Sequence, residues 1–345
     1  MADTDPPAAP PARRSRRSSG AVTLHDVAGM AGVAPITASR ALKHPHQVSA
    51  EVRQRVAEAV ARTGYVPNLA AGGLASARSR LVAALVPTIS GPVFLSTIQA
   101  LTETLASHGY QLMLGQSGYG NVREDALLEA IIGRRPDGIV LTGILHSALG
   151  RRRLLASGIP VVETWDLTPK PIDMLVGFSH VDVGRAVAAH LHGRGRKRLA
   201  AIAGDDERAQ RRLQAFCQAA QALGLPEVRV ELVPAPTTLR SGREALARLL
   251  QRKVDAVFCS SDQLALGVLT EAHARGLAVP QALGVVGFGD QDIAADLHPA
   301  LTTVRINGAD IGRQAAQFII GRAEGRDVAQ RIVDIGFSIV QRGSD

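Results

Sequence analysis

Three side chains close together carry the first chemistry that can be read. In PITASRAL (35–42), a helical repeat that turns Ala38 and Leu42 inward leaves Ile36, Thr37 and Arg40 on the outer face. A guanidinium placed there can donate to O6 and N7 of a guanine, and the Thr37 hydroxyl can reach a phosphate or a base edge. A small trihelical packing domain is the alternative that these helices alone leave open.

A second set follows apolar runs further on: Phe94, Tyr119, Glu163, Trp165, Asp166 and Phe178, then Arg212, Ser261, Asp262, Gly289 and Asp290. Residues just past strand ends are where open α/β sheets bind ligands. Trp165, the only Trp, suits either the C–H face of a sugar or the core; Asp262 suits either a ligand or a helix cap.

Other chemistry is excluded. G-x-G-x-x-G is absent and the nearest string, GVVGFG, has the wrong order, which argues against a nicotinamide enzyme. His190 and His192 stand two apart on a helix, so their side chains diverge; a metal site is not expected, and both read as polar side chains facing solvent. Cys217 and Cys259 are too few for a disulfide framework and read as buried thiols. No cofactor is expected.

The elements that must position these residues fall into two groups. Thr23 with Asp26 forms a capping-box pattern for a helix whose apolar face is Leu24, Val27, Ala28 and Ala31. Gly32 supplies a turn, and Pro35 opens a second helix. Ser49 caps a third with the stripe Val52, Val56, Ala59 and Val60, which Gly64 ends. From Arg80 the pattern changes to apolar strands alternating with helices, the mark of a parallel sheet covered on both sides. The expected strands are 81–86, 110–114, 138–142, 159–163, 174–178, 198–203, 255–260 and 283–288, each apolar on both faces; helices are expected at 122–133, 182–194, 208–222, 242–251 and 262–275.

Charge follows the same division. The 345-residue chain carries a net +8, and residues 1–80 hold 11 Lys+Arg against 5 Asp+Glu. A basic surplus at one end suits a polyanion partner. Residues 1–20, including the run Arg13 to Arg17, read as a disordered basic tail without a secretory signal, and no apolar stretch is long enough to span a membrane. A cytoplasmic protein is expected.

The ordered string DVA, AGV, SRAL, VS, GY, PN within residues 22–76 closely resembles the headpiece and hinge of LacI/GalR transcription regulators, and the α/β remainder resembles their effector-binding core. The resemblance covers residues 22–343. After the tail (1–20), it implies a helix-turn-helix headpiece (21–66), a hinge (67–79) and a two-lobed, doubly wound, periplasmic-binding-protein-like core (80–345). It also implies a homodimer on double-stranded operator DNA that responds to a small-molecule effector; no Leu-heptad tail is seen, so a tetramer is not expected from that device.

Carried over by position, DNA contacts fall to Thr23, Pro35, Ile36, Thr37 and Arg40, and in the hinge to Asn68, Ala71 and Leu74. Leu74 is the wedge that kinks a base step. Many relatives have a capping Ser where Ala34 stands and a polar residue where Pro35 or Ile36 stands, so hydrogen bonding to bases rests chiefly on Arg40. Gly72-Gly73 weakens the hinge helix.

In the core, Phe94, Tyr119, Trp165 and Asp290 are effector candidates from their places after strands, and the resemblance adds weight to Arg212 and Asp262, with Arg212 able to supply a bidentate fork. Gly289 stands where many sugar binders have Asp. The strings GYGNVREDALLEAI, GIPVVETWD, DMLVGF and DIGFSI look most similar to gluconate-utilisation repressors, which implies a sugar-acid effector that releases the operator. A neutral sugar or purine is the alternative effector, and a periplasmic-type sugar-binding protein a remote alternative reading of the whole chain.

Overall fold

The computed structural model describes residues 22–66, 78–89, 91–144 and 146–345. The chain divides into two compact units, one up to Ala77 and one from Arg78. The tail and the hinge positions Asn68, Ala71, Gly72, Gly73 and Leu74 lie outside the described residues.

In the first unit three helices enclose a core of small side chains. Helix α1 (Leu24–Ala31) starts with the full capping box: the Thr23 backbone N–H and hydroxyl both donate to Asp26 Oδ2 at 2.8 Å, and Asp26 N returns a bond to Thr23 Oγ1. Those donors stabilise the charged form and lower the Asp26 pKa. Gly32 ends α1 at φ 64, a left-handed conformation that suits glycine. Helix α2 (Pro35–Lys43) has no side-chain cap at Ala34, but Pro35 removes one of the N–H groups that would need it. Helix α3 (Ala50–Thr63) is capped by Ser49 and closed by Gly64. Val27, Ala28, Ala31, Ala38, Ala41, Val56 and Ala59 are buried together, and five of these seven are alanines, which lets the helix backbones approach closely.

The second unit holds two six-stranded sheets of the same design. The first lobe takes β1 (Leu81–Val86), β2 (Gln111–Gln116), β3 (Gly138–Thr142), β4 (Val161–Thr164), β5 (Met174–Gly177) and, from far along the chain, β11 (Ile332–Asp334), in the order β11-β5-β4-β3-β1-β2. The second lobe takes β6 (Leu199–Gly204), β7 (Arg229–Val233), β8 (Ala256–Cys259), β9 (Gly284–Phe288), β10 (Thr302–Arg305) and β12 (Ser338–Val340), in the order β12-β10-β9-β8-β6-β7. Every described pairing is parallel except β10 with β12. The covering helices are α4 (Leu95–Ser107), α5 (Asn121–Ile132), α6 (Ala148–Ser157), α7 (His180–Gly193), α8 (Glu207–Ala222), α9 (Leu239–Leu249), α10 (Asp262–Ala274), the short α11 (Ile293–Asp296) and α12 (Gly308–Ala323).

Three departures from the sequence expectations stand out. β2 is an edge strand whose residues are half-buried or exposed, so it is not apolar-buried on both faces as expected. β10 was not expected because TTVR looks polar; yet Thr302 and Thr303 are fully buried, their hydroxyls donating to Asp345 and Asp262. His190 is not an idle surface group: its Nε2 lies 2.5 Å from Asp345 Oδ2, closing that same buried polar cluster.

Candidate functional site

On the first unit, the outward face of α2 is where the spacing put it. Ile36 is 63% exposed, Arg40 is exposed, and Thr37 and Pro35 are half-buried. Thr23 differs: its hydroxyl hydrogen and backbone N–H both donate to Asp26, so neither reaches a phosphate unless the cap opens.

In the second unit, the carboxyl ends of strands from both sheets converge on one cavity. Its inner chamber, about 90 Å³, is lined by Phe94, Trp165, His180, Arg208, Arg212 and Phe288 among others. An outer chamber of about 460 Å³ shares Tyr119, Asp206 and Arg208 with it and adds Ser117, Glu124, Thr142 and Asp205. Elsewhere, a depression on α9 and α10 is crossed by the Arg243–Glu271 ion pair.

A chain of hydrogen bonds runs across the inner chamber from one lobe to the other. Trp165 Nε1–H donates to Thr97 Oγ1 at 3.1 Å, and Trp165 O lies 2.9 Å from His180 Nε2. His180 Nδ1 lies 3.0 Å from Arg212 Nη1, and Arg212 Nη2 donates to Ser260 O at 3.0 Å. Because a guanidinium can only donate, His180 Nδ1 must accept, so the hydrogen sits on Nε2 and points at the Trp165 carbonyl. The imidazole is therefore neutral, and burial followed by the nearby Arg212 charge pushes its pKa well below the ordinary value. Trp165 adopts φ 64, a conformation costly for a bulky residue, and bonds at both its indole and its carbonyl hold it there.

Local packing fixes this arrangement. A Cβ on Gly184 of α7 would stand 2.3 Å from Arg212 O, so only glycine lets α7 and α8 touch backbone to backbone. His180 opens α7 and Arg212 lies on α8, and that contact sets their separation. The Phe288 ring lies under the guanidinium, 3.9 Å from Cζ to centroid.

Arg212 is thus a buried cation with no carboxylate in contact, and its Nε has no partner. Burial lowers its pKa to about 10, which still leaves it charged at neutral pH. The expected bidentate fork is narrowed, since Nη1 and Nη2 each already give one N–H to His180 and Ser260 while the Nε–H stays unengaged. Arg211 beside it behaves differently: its Nη1 reaches both Asp166 oxygens at 3.1 and 3.2 Å.

The remaining candidates separate. Phe94 and Trp165 line the inner chamber, stacked edge to face with centroids 5.0 Å apart, and Tyr119 lines both chambers. Asp262 and Asp290 do not line it. Asp262 accepts from Thr303 Oγ1 at 2.6 Å and from Gln291 N at 2.8 Å, and the cap of α10 is Ser261 instead. Asp290 pairs with Arg342 at 2.6 Å and with Arg305. Both aspartates tie the turns after β8 and β9 to neighbouring structure. Glu163 is fully buried beside His146, and Phe178 packs in the aromatic core. Sequence reasoning missed His180 and Arg208; Arg208 could have been found, because it precedes Arg212 by four and so shares its helix face.

Comparison with known proteins agrees in both units. Residues 23–68 match the family described as bacterial regulatory proteins, lacI family, and residues 188–344 match the periplasmic binding protein-like domain. The chain is 38% identical over 335 residues to the HTH-type transcriptional regulator GntR of Pseudomonas aeruginosa, covering 96% of this chain and 98% of that one. It is 32% identical over 324 residues to the regulator of the same name from Escherichia coli K12, covering 93% and 98%. A LacI family transcriptional regulator from Silicibacter pomeroyi superposes with a TM-score of 0.89 at 32% identity, over 94% of this chain and 99% of that one. Such similar proteins are transcriptional regulators, not enzymes. No described helix is long and apolar enough to cross a membrane.

Proposed function

Because the chain belongs to the lacI family of bacterial regulatory proteins and is a DNA-binding transcriptional regulator, we propose that it represses sugar-acid catabolism genes and leaves its operator when a gluconate-type acid fills the cavity. The observation that carries this reading is Arg212: a buried, charged side chain lining a cavity with one nitrogen unpartnered and no protein carboxylate against it. A buried charge without an opposite partner costs several kcal/mol. An anionic ligand removes that cost, and a neutral sugar does not. The four strings that resemble gluconate-utilisation repressors point the same way.

On the operator, α2 enters the major groove, Arg40 reads a guanine, and Pro35, Ile36 and Thr37 make the closer contacts. Asn68, Ala71 and Leu74 supply the hinge contacts in the minor groove. A homodimer places two such headpieces on a pseudo-palindrome, since one alone buries too little surface for specific binding at physiological salt. The protein works in the cytoplasm, where the DNA is.

A thermal-shift screen of sugar acids, phosphosugars, neutral sugars and purines, followed by operator binding with each hit, tests the effector. A ligand that binds the folded state raises its melting temperature by mass action. Stabilisation by a sugar acid together with release of operator DNA is expected; stabilisation by a neutral sugar or purine alone overturns the sugar-acid reading and leaves the family assignment standing.

A further inference from the structure

Arg208 is the second cation of the inner chamber. Its side chain is 15% exposed, and its nearest carboxylate oxygen, Asp206 Oδ1, lies 3.9 Å from Nε. That oxygen already accepts from Ala209 N at 3.1 Å as the cap of α8. Arg208 Nη1 is buried without a hydrogen-bond partner. It reaches over the Phe94 ring, Cζ to centroid 5.6 Å, toward the end of β3, where a Cβ on Gly143 would stand 3.6 Å from Nη1.

The two orphaned nitrogens have one explanation in common. Arg208 and Arg212 stand one turn apart on α8 and both line a chamber of about 90 Å³. It is the smaller of the two chambers, about 90 Å³ against about 460 Å³ for the outer one. His180 is neutral and Asp166 is paired with Arg211, so the two arginines face one remaining carboxylate, Asp206, and the chamber carries a local positive excess.

We propose that Arg208 is the specificity-determining residue of this cavity: the carboxylate is held by one nitrogen from each arginine, Nη1 of Arg208 and Nε of Arg212. The polyol chain then extends into the outer chamber, where Ser117, Thr142 and Asp205 offer hydroxyl and carboxylate partners. This assignment rests on the sugar-acid reading above and deepens it. Arg212 orients the head group through its fixed bonds to His180 and Ser260. Arg208, less constrained, adds the second positive charge and with it the larger part of the preference for a charged head group.

Titration calorimetry on the full chain tests it with two probes that differ only at the head group, D-gluconate and the neutral D-gluconamide. Wild type is expected to bind gluconate more tightly than the amide by about 10- to 100-fold, the range of charge-assisted hydrogen bonds. Arg208→Met should cut that ratio by at least about threefold, mainly by weakening gluconate and leaving the share that Arg212 contributes, and Arg208→Lys should restore part of it. A cooperative melting transition for each ligand-free variant confirms that it folds. If gluconate binds wild type and Arg208→Met keeps the full ratio, the role of Arg208 is overturned while the sugar-acid reading survives. If wild type binds neither probe, or both equally, both fall together.

Discussion

Two regions of the effector-binding unit bury a cation, and they treat it in opposite ways. Beside β3, His146 lies between two glutamates, its Nδ1 2.6 Å from Glu124 and its Nε2 3.4 Å from Glu163 Oε1. In the inner chamber, Arg208 and Arg212 have no carboxylate in hydrogen-bond contact. Burial alone would lower the His146 pKa, but the two carboxylates overcome it and raise the group to about 9. The protein supplies more negative charge than one imidazolium needs in the first place, and less than two guanidiniums need in the second. A buried charge that the chain itself neutralises is structural; one that it leaves open is waiting for a ligand.

The largest effect that can break this comparison is on stability at His146. His146→Leu leaves Glu124 and Glu163 without their cation, and loss of one partner from a buried ion pair costs about 3–5 kcal/mol. A clear drop in melting temperature is expected by calorimetry; an unchanged one would mean that the glutamates do not depend on the imidazolium.

A pH series sharpens the same point. The His146 pKa is raised on folding, so its stabilisation is complete below the unfolded value near 6.5 and is lost as pH rises through about 9. Wild type should lose on the order of 2 kcal/mol between pH 7 and pH 9 by this linkage, and His146→Leu should lack that slope. Parallel pH profiles for the two proteins would remove the assignment.

Arg212→Met should behave in the contrary sense. Removing an uncompensated buried charge relieves its desolvation, although the bonds to Ser260 O and His180 are lost, so ligand-free stability should move by no more than about 1 kcal/mol. The rise in melting temperature with D-gluconate should disappear. Strong destabilisation without ligand would place Arg212 with His146 as a structural cation.

The exposed cation of the headpiece gives the smallest stability change. Arg40→Ala should alter folding by under about 0.5 kcal/mol, as exposed substitutions do. Operator affinity should nevertheless fall by roughly 30-fold or more if each half-site loses a bidentate contact of ~1–3 kcal/mol. Equal footprints for both proteins would detach Arg40 from base reading.

The sequence by itself determined what depends on local periodicity. Thr23, Gly32, Ser49 and Gly64 mark the headpiece helices because caps and left-handed turns are decided within a few residues. The outward set Ile36, Thr37 and Arg40 follows from helical repeat alone, and the long apolar strands from their own composition. What only the tertiary structure decided depends on partners far apart in the chain. Asp262, Asp290 and Arg211 look like the same kind of strand-end or cavity charge as Arg212, yet each is engaged by a group at least 15 residues away, Asp290 and Arg211 by an opposite charge and Asp262 by the Thr303 hydroxyl. β10 stays hidden because its threonines are buried by bonds to Asp262 and Asp345. Nothing near Arg208 or Arg212 in the sequence shows that no carboxylate will meet them. Whether a charge is satisfied is a sum over everything that packs around it, and only the folded chain completes that sum.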